Sequence, residues 1–137
     1  MDRLHLEIIT PDRVMVSEDV DTVEASGALG EFGILPGHIN FLTSIVPGEI
    51  HYTSGNKTRH IAASVGFAEV VENKVTFLME TAEFAEEIDV ARATRAREKA
   101  ETALKDLSFD HTDYKLQELA LLRAIARISA ASKKMSL

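Results

Sequence analysis

The sequence predicts an all-β N-terminal sandwich or flattened barrel followed by a C-terminal antiparallel two-helix hairpin. Three observations lead there. Short β-branched and aromatic runs are separated by turn signals through the first two thirds of the chain. All seven glycines lie at or before Gly66 and all three prolines at or before Pro47. The remainder lacks both breakers and is rich in alanine, with apolar residues at helical spacing.

The strands come in order. Leu4, Leu6 and Ile8 alternate with His5, Glu7 and Ile9, the period of a half-buried strand. Further runs are 14–16, 20–25, 32–35, 41–46, 49–53, 58–65, 67–71 and 75–79. Pro11-Asp12, Ser26-Gly27, Pro36-Gly37, Pro47-Gly48, Ser54-Gly55-Asn56 and Glu72-Asn73-Lys74 punctuate them. Many short strands at this spacing point to a sandwich or barrel. Two helices follow. Asp89 can accept from free backbone N–H groups and start a helix to Leu107, with Ala93, Ala96, Ala100, Ala103, Leu104 and Leu107 on one face. Thr112 or Asp113 can cap a second helix to about Ala131. Its expected apolar tracks are Leu116, Leu119, Leu122 and Ala126, then Leu121, Ile125 and Ile128. A short link makes the helices antiparallel neighbours.

Charge divides at the same place. The 137 residues carry 22 acidic and 15 basic side chains, a net of −7. Residues 1–87 hold 15 acidic and 5 basic, net −10; residues 88–137 hold 7 acidic and 10 basic, net +3. Two units are therefore expected, 1–87 and 88–137. The alanine-rich seam offers small contacts of only ~0.8 kcal/mol per buried CH₂, against an ordering cost of ~1–2 kcal/mol per residue. The hairpin is expected to be weakly held and able to open without harming the sandwich.

Several function classes are excluded. With no cysteine there is no disulfide, zinc-thiolate or cysteine nucleophile. No apolar run approaches the ~18–20 residues of a membrane-spanning helix. The start, MDRLHLEII, lacks a secretory signal, so a cytosolic setting is expected. An acidic chain does not suit the phosphate backbone of nucleic acid. Ala62-Ala63-Ser64-Val65-Gly66 imitates a nucleophile elbow but lies between strands. His5, His38, His51, His60 and His111 show no metal-motif spacing, so no metal site is expected. The stretch Gly30–Ile50, with Glu31, Phe32 and His38 among tight turns, reads either as core strands and turns or as a protein-binding loop.

In that stretch the pattern G-E-x-G-I-L-P-G-H-x-x-x-L-T, from Gly30, closely resembles the epsilon subunit of F-type ATP synthases. The likeness covers essentially the whole chain, including Gly66-Phe67-Ala68-Glu69-Val70 and the closing hairpin. It implies a non-catalytic rotor subunit of a proton-translocating complex, peripheral on the cytoplasmic face of the bacterial inner membrane. The sandwich would grip the gamma subunit and the ring of c subunits, with Glu31 meeting the ring's polar loops, and Phe32 and His38 in the same contact region. The hairpin would permit ATP hydrolysis when folded and block it when extended toward the beta and alpha subunits. Arg123, Arg127, Lys133 and Lys134 are the cations that would then meet an acidic beta-subunit segment.

The resemblance also implies ATP as a regulatory ligand in some members, through I-D-x-x-R-A and basic residues on both helices. Here Ile88, Asp89, Arg92 and Ala93 match, with Glu83 upstream and Arg123 and Arg127 on the second helix. Lys99 stands where the pattern has arginine, keeping the charge and losing the bidentate fork. The same charges read equally as helix caps and ties between hairpin and sandwich. No cofactor is required on either reading. The alternatives are a free-standing nucleotide-sensing module and a small hydrolase using Ser64 or the histidines.

Overall fold

The computed structural model describes residues 2–133. Ten strands come first: β1 (Leu4–Ile9), β2 (Val14–Val20), β3 (Thr22–Gly27), β4 (Gly30–Ile34), β5 (Phe41–Ile45), β6 (Gly48–Ser54), β7 (Lys57–Ala63), β8 (Gly66–Val71), β9 (Lys74–Met79) and β10 (Ala82–Phe84). A single 3-10 turn, Ala85–Glu87, leads to α1 (Val90–Asp106) and α2 (Thr112–Ser132). The strands form one sheet in the order β10-β7-β6-β3-β5-β8-β9-β1-β2, with β4 paired to β3. All pairings are antiparallel except β1 with β9.

The sheet curls so that β2 approaches β6 and one core is enclosed. Alternation explains which side chains enter it. Leu4, Leu6 and Ile8 are fully buried, as are Val75 and Phe77 across the parallel ladder and Val70 beside them. Gly66 is required where β8 meets β9. A Cβ there would meet the Leu78 carbonyl oxygen and lie 2.7 Å from Met79 Sδ.

The run expected as one strand over 20–25 is broken at Asp21, and the segment expected at 14–16 extends to Val20. Asp21 is a corner. Its carboxylate takes the Gly55 N–H at 2.7 Å and Arg3 Nε at 3.1 Å, while its own N–H donates to Thr53 O at 2.8 Å. The Gly55 N–H, aided by Arg3, holds this carboxyl below its ordinary value against some desolvation. The corner carries the chain from the sheet edge at β2 to its middle at β3. Strand β10 has no sequence signature, because its three residues carry no periodicity to read.

Asp89 caps α1, accepting from the Arg92 N–H at 3.0 Å. The cap of α2 is His111, not Thr112 or Asp113. Its Nδ1 accepts from the Asp113 N–H at 3.0 Å, the short reach that a capping oxygen would otherwise supply. A second correction concerns what α2 buries. Leu116, Leu122 and Ile125 are exposed, and the buried residues are Ala124, Ala126, Ala130 and Ala131. α2 lies against β6 and β7 as well as α1, and small side chains allow that close approach. α1 buries only Ala93 and Ala100 and rests chiefly on α2.

The hairpin therefore sits on its own small cluster. Ala62, Ala85, Ile88, Ala126, Ala130 and Ala131 pack together, apart from the core of the sheet.

Candidate functional site

Two surfaces gather the singled-out residues. The first is the cleft between hairpin and sheet. A cavity of about 600 Å³ is lined by Glu83, Asp89, Arg92, Ala93 and Arg127, together with residues of the β1–β2 turn and of the 80–87 segment. The chain places them there simply: β10 carries Glu83, the cap of α1 carries Asp89, and the first turn of α1 carries Arg92.

Charges in this cleft are largely committed. Arg127 Nε donates to Glu83 Oε1 at 2.7 Å. Arg13 Nη2 donates to Glu87 Oε1 at 2.8 Å, and the Phe84 N–H reaches the same oxygen at 3.1 Å. Those bonds, Arg13 first, hold the Glu87 carboxyl below its ordinary value despite partial desolvation. Asp89 is occupied by its capping bond. Arg92 makes no ion pair among the described residues. Arg123 lines a smaller adjacent cleft with Ala62, Ser64, Thr81 and Arg127. Ile88 is buried in the seam beneath. Lys99 is exposed on α1 and does not line the cavity.

At the far end of α2, Glu49 Oε2 accepts from Lys133 Nζ at 2.7 Å and from the Ser129 hydroxyl at 3.2 Å. The ring Nδ1 of His60 lies 2.7 Å from Glu49 Oε1. Burial raises the Glu49 carboxyl pKa, and the bonds from Lys133 and His60 more than offset this, leaving it below its ordinary value. Lys134 lies outside the described residues.

The second surface is the Gly30–Leu42 segment. Gly37, at φ +88°, turns the chain, and its N–H donates to Asn73 Oδ1 at 2.7 Å. His38 donates from Nδ1 to the Ile39 carbonyl at 2.7 Å and stands edge-on to Phe41, with ring centroids 5.8 Å apart. Phe32 meets Phe41 edge-on at 5.5 Å and closes the turn around Gly27. Glu31 is exposed at the start of β4. The stretch is part core and part open surface: Ile34 is buried, whereas Leu35, Ile39 and Leu42 are 60%, 76% and 69% exposed.

Outward residues of three neighbouring strands extend this surface. On the outward side of β5, β8 and β9 stand Leu42, Phe67 and Leu78, with Phe67 and Leu78 directly paired. Phe67 and Leu78 are 59% and 55% exposed. An outward phenylalanine inside the alternation Phe67-Ala68-Glu69-Val70 was the available signal. Contiguous exposed apolar groups of this kind mark a contact surface.

Ser64 is no nucleophile. It is 4% exposed, accepts from the Thr81 N–H at 2.9 Å and donates to Thr81 O at 3.2 Å. It joins the end of β7 to the approach of β10, with no strand-to-helix turn.

Comparison with known proteins decides among the remaining readings. Residues 3–85 match the family model described as ATP synthase, Delta/Epsilon chain, beta-sandwich domain. Residues 86–132 match its long alpha-helix domain. The chain belongs to the epsilon-chain family of ATP synthases. The ATP synthase epsilon chain of Geobacter metallireducens is 48% identical over 132 residues, covering 96% of each chain. That of Nitratidesulfovibrio vulgaris is 49% identical over 125 residues, covering 91% of this chain and 92% of the relative. Among solved structures, a chain of the Euglena gracilis mitochondrial ATP synthase assembly of OSCP, F1 and c-ring superimposes with a TM-score of 0.81 at 26% identity, covering 95% of this chain and 81% of that one. Family membership makes this chain a subunit of an ATP synthase rather than a free-standing enzyme or sensor. Among the described residues no helix is long and apolar enough to cross a membrane.

Proposed function

We propose that this chain couples the central stalk to the membrane ring of an ATP synthase and restrains ATP hydrolysis through its hairpin. The observation that carries the reading is the division of the molecule into a sheet with its own core and a hairpin held by a separate cluster of small side chains. A rotor subunit needs the first to stay folded while the second moves.

The outward face with Leu42, Phe67 and Leu78 is the proposed seat of the gamma subunit, continuous with Phe32 and His38. Glu31, exposed at the edge of the same segment, is the proposed contact to the polar loops of the c-ring. Such a subunit sits peripherally at the cytoplasmic face of a bacterial membrane. When the hairpin opens, the exposed Leu116, Leu122 and Ile125 and the cations Arg123, Arg127, Lys133 and Lys134 turn to the beta and alpha subunits. Opened into one rod, residues 89–133 span about 68 Å at 1.5 Å per residue.

ATP is the proposed regulatory ligand of the folded hairpin. The cavity of about 600 Å³ lies in the range of small-molecule sites. Arg92 faces it without an ion pair among the described residues, and Arg127 can exchange Glu83 for a phosphate oxygen. Lys99, away from the cavity, takes no part in this arrangement.

Binding of the full chain to purified gamma subunit tests the stalk role. Micromolar binding weakened by Phe67→Asp supports it, and no binding of the native chain at that concentration overturns it. Calorimetric titration with ATP tests the ligand. A binding heat lost in Arg92→Ala and Arg127→Ala supports it; silence at millimolar ATP refutes it.

A further inference from the structure

Strands β6 and β7 form a hairpin in which His51 and His60 are direct partners and Glu49 lies opposite Ala62. Cross-strand partners stand on one face, and a residue two positions along its strand shares that face. Glu49, His51 and His60 are thereby gathered, each able to offer one ligand atom within 4.8 Å of the others. The imidazoles lie with centroids 5.4 Å apart. Side-chain exposure is 14% for Glu49, 19% for His60 and 34% for His51, so the group is sheltered yet reachable. A cleft of about 410 Å³ bordered by Glu24, Glu49, His51 and Lys133 opens onto it. Glu24 adds a second carboxylate, its Oε2 2.8 Å from His51 Nε2.

We infer that Glu49, His51 and His60 bind one divalent transition-metal ion of the zinc type, in competition with the Lys133 tether of α2. The donor set selects the ion. Two imidazoles and a carboxylate suit Zn²⁺, whereas Mg²⁺ and Ca²⁺ take oxygen donors. Zn²⁺ bonds of ~2.0–2.2 Å place tetrahedral ligands about 3.4 Å apart. Contraction from the present separation needs side-chain rotation at a partly open surface, with no movement of the paired backbone. Two carboxylates, Glu49 and Glu24, balance the two charges of the ion, and three protein ligands leave a fourth position to water.

Competition follows from Glu49. Its Oε1 faces His60 and its Oε2 holds Lys133 and Ser129. A dication at this carboxylate repels the Lys133 ammonium and loosens the end of α2. By reciprocity, docking of α2 weakens the metal. The site lies on the sheet and stands whether or not the hairpin senses ATP. The spacing of His51 and His60 matches no helical metal motif, because strand pairing and not helical periodicity brings them together.

The test is titration of the full, untagged chain with zinc chloride, followed by calorimetry. One ion per chain is expected. His51→Ala and His60→Ala should each weaken it about tenfold or more, while His5→Ala, remote on β1, should leave it unchanged. Lys133→Ala should tighten it several-fold, because a competing cation is gone. Independently of any variant, Co²⁺ added to the native chain should give the intense visible absorption of a tetrahedral nitrogen and oxygen site. No uptake at about 100 µM zinc, a range that detects even weak sites, overturns the inference. So does an affinity indifferent to both histidine substitutions. An affinity unchanged by Lys133→Ala overturns the competition.

Discussion

Ile88→Ala tests whether the hairpin hangs on a cluster of its own. Ile88 is 6% exposed and is the one large side chain in a cluster otherwise made of alanines. The substitution removes three methyl-sized groups at ~0.8 kcal/mol each, about 2.4 kcal/mol in all. This transfer contribution alone falls near the lower end for Ile→Ala, and any cavity left behind adds to it. The loss should appear in the hairpin alone, because Ile88 packs apart from the core around Leu4, Leu6 and Phe77. Helical stability in proteins comes mostly from packing of an amphipathic face, so undocking these helices of 17 and 21 residues weakens them and exposes their amides. Hydrogen exchange read by mass spectrometry should show α2 peptides exchanging about 50-fold faster, the equivalent of 2.4 kcal/mol. Peptides of β1, β8 and β9 should be unchanged. Equal acceleration in the strands, or none in α2, would refute the separation of the two clusters.

Three further outcomes follow from named contacts. A double-mutant cycle of Glu83→Gln with Arg127→Ala should give a coupling of about 0.5–1 kcal/mol for the half-exposed pair at 2.7 Å; a coupling of zero would mean the pair does not tie α2 to β10. Acid should release the end of α2. The folded Glu49 carboxyl sits below its ordinary value of 4.5, so its contribution is complete above about pH 4.5 and is lost as pH falls through the folded value. Glu49→Gln should abolish that step in α2 exchange, and its persistence in the variant would assign it elsewhere. Gly66→Ala should cost the sheet about 1–3 kcal/mol by overpacking against Leu78 and Met79, read as a lower denaturant midpoint; an unchanged midpoint would show that β8 and β9 can part there.

What could be read from the sequence were the features set by neighbours along the chain. Leu4, Leu6 and Ile8 announce their strand by period, and Asp89 announces a helix start by its place before an unbroken alanine-rich run. What escaped depends on partners distant in sequence. Asp21 reads as one polar residue inside a strand until Gly55 and Arg3 close on it. His51 and His60 become neighbours only through the register of β6 with β7. On α2, leucines outrank alanines by hydrophobicity, yet of the expected tracks only Ala126 is buried, Leu119, Leu121 and Ile128 are half-buried, and Leu116, Leu122 and Ile125 are exposed. The sheet beneath admits Ala126, Ala130 and Ala131, and close approach outweighs side-chain size. Of the charged cluster, Glu83, Asp89, Arg92 and Arg127 do meet at one cavity, whereas Lys99 stays outside it. A helical wheel gives the face of Lys99, not its distance from a cleft that begins at the helix cap.

The central claim is that the sheet docks and the hairpin restrains. The most direct measurement is ATP hydrolysis by an ATP synthase assembled with the full chain and with a chain ending at Glu87. The account predicts the same assembly and a higher hydrolysis rate without the hairpin, because the sheet keeps its own core. An assembled complex whose hydrolysis is unchanged by removal of residues 88–137 would contradict it.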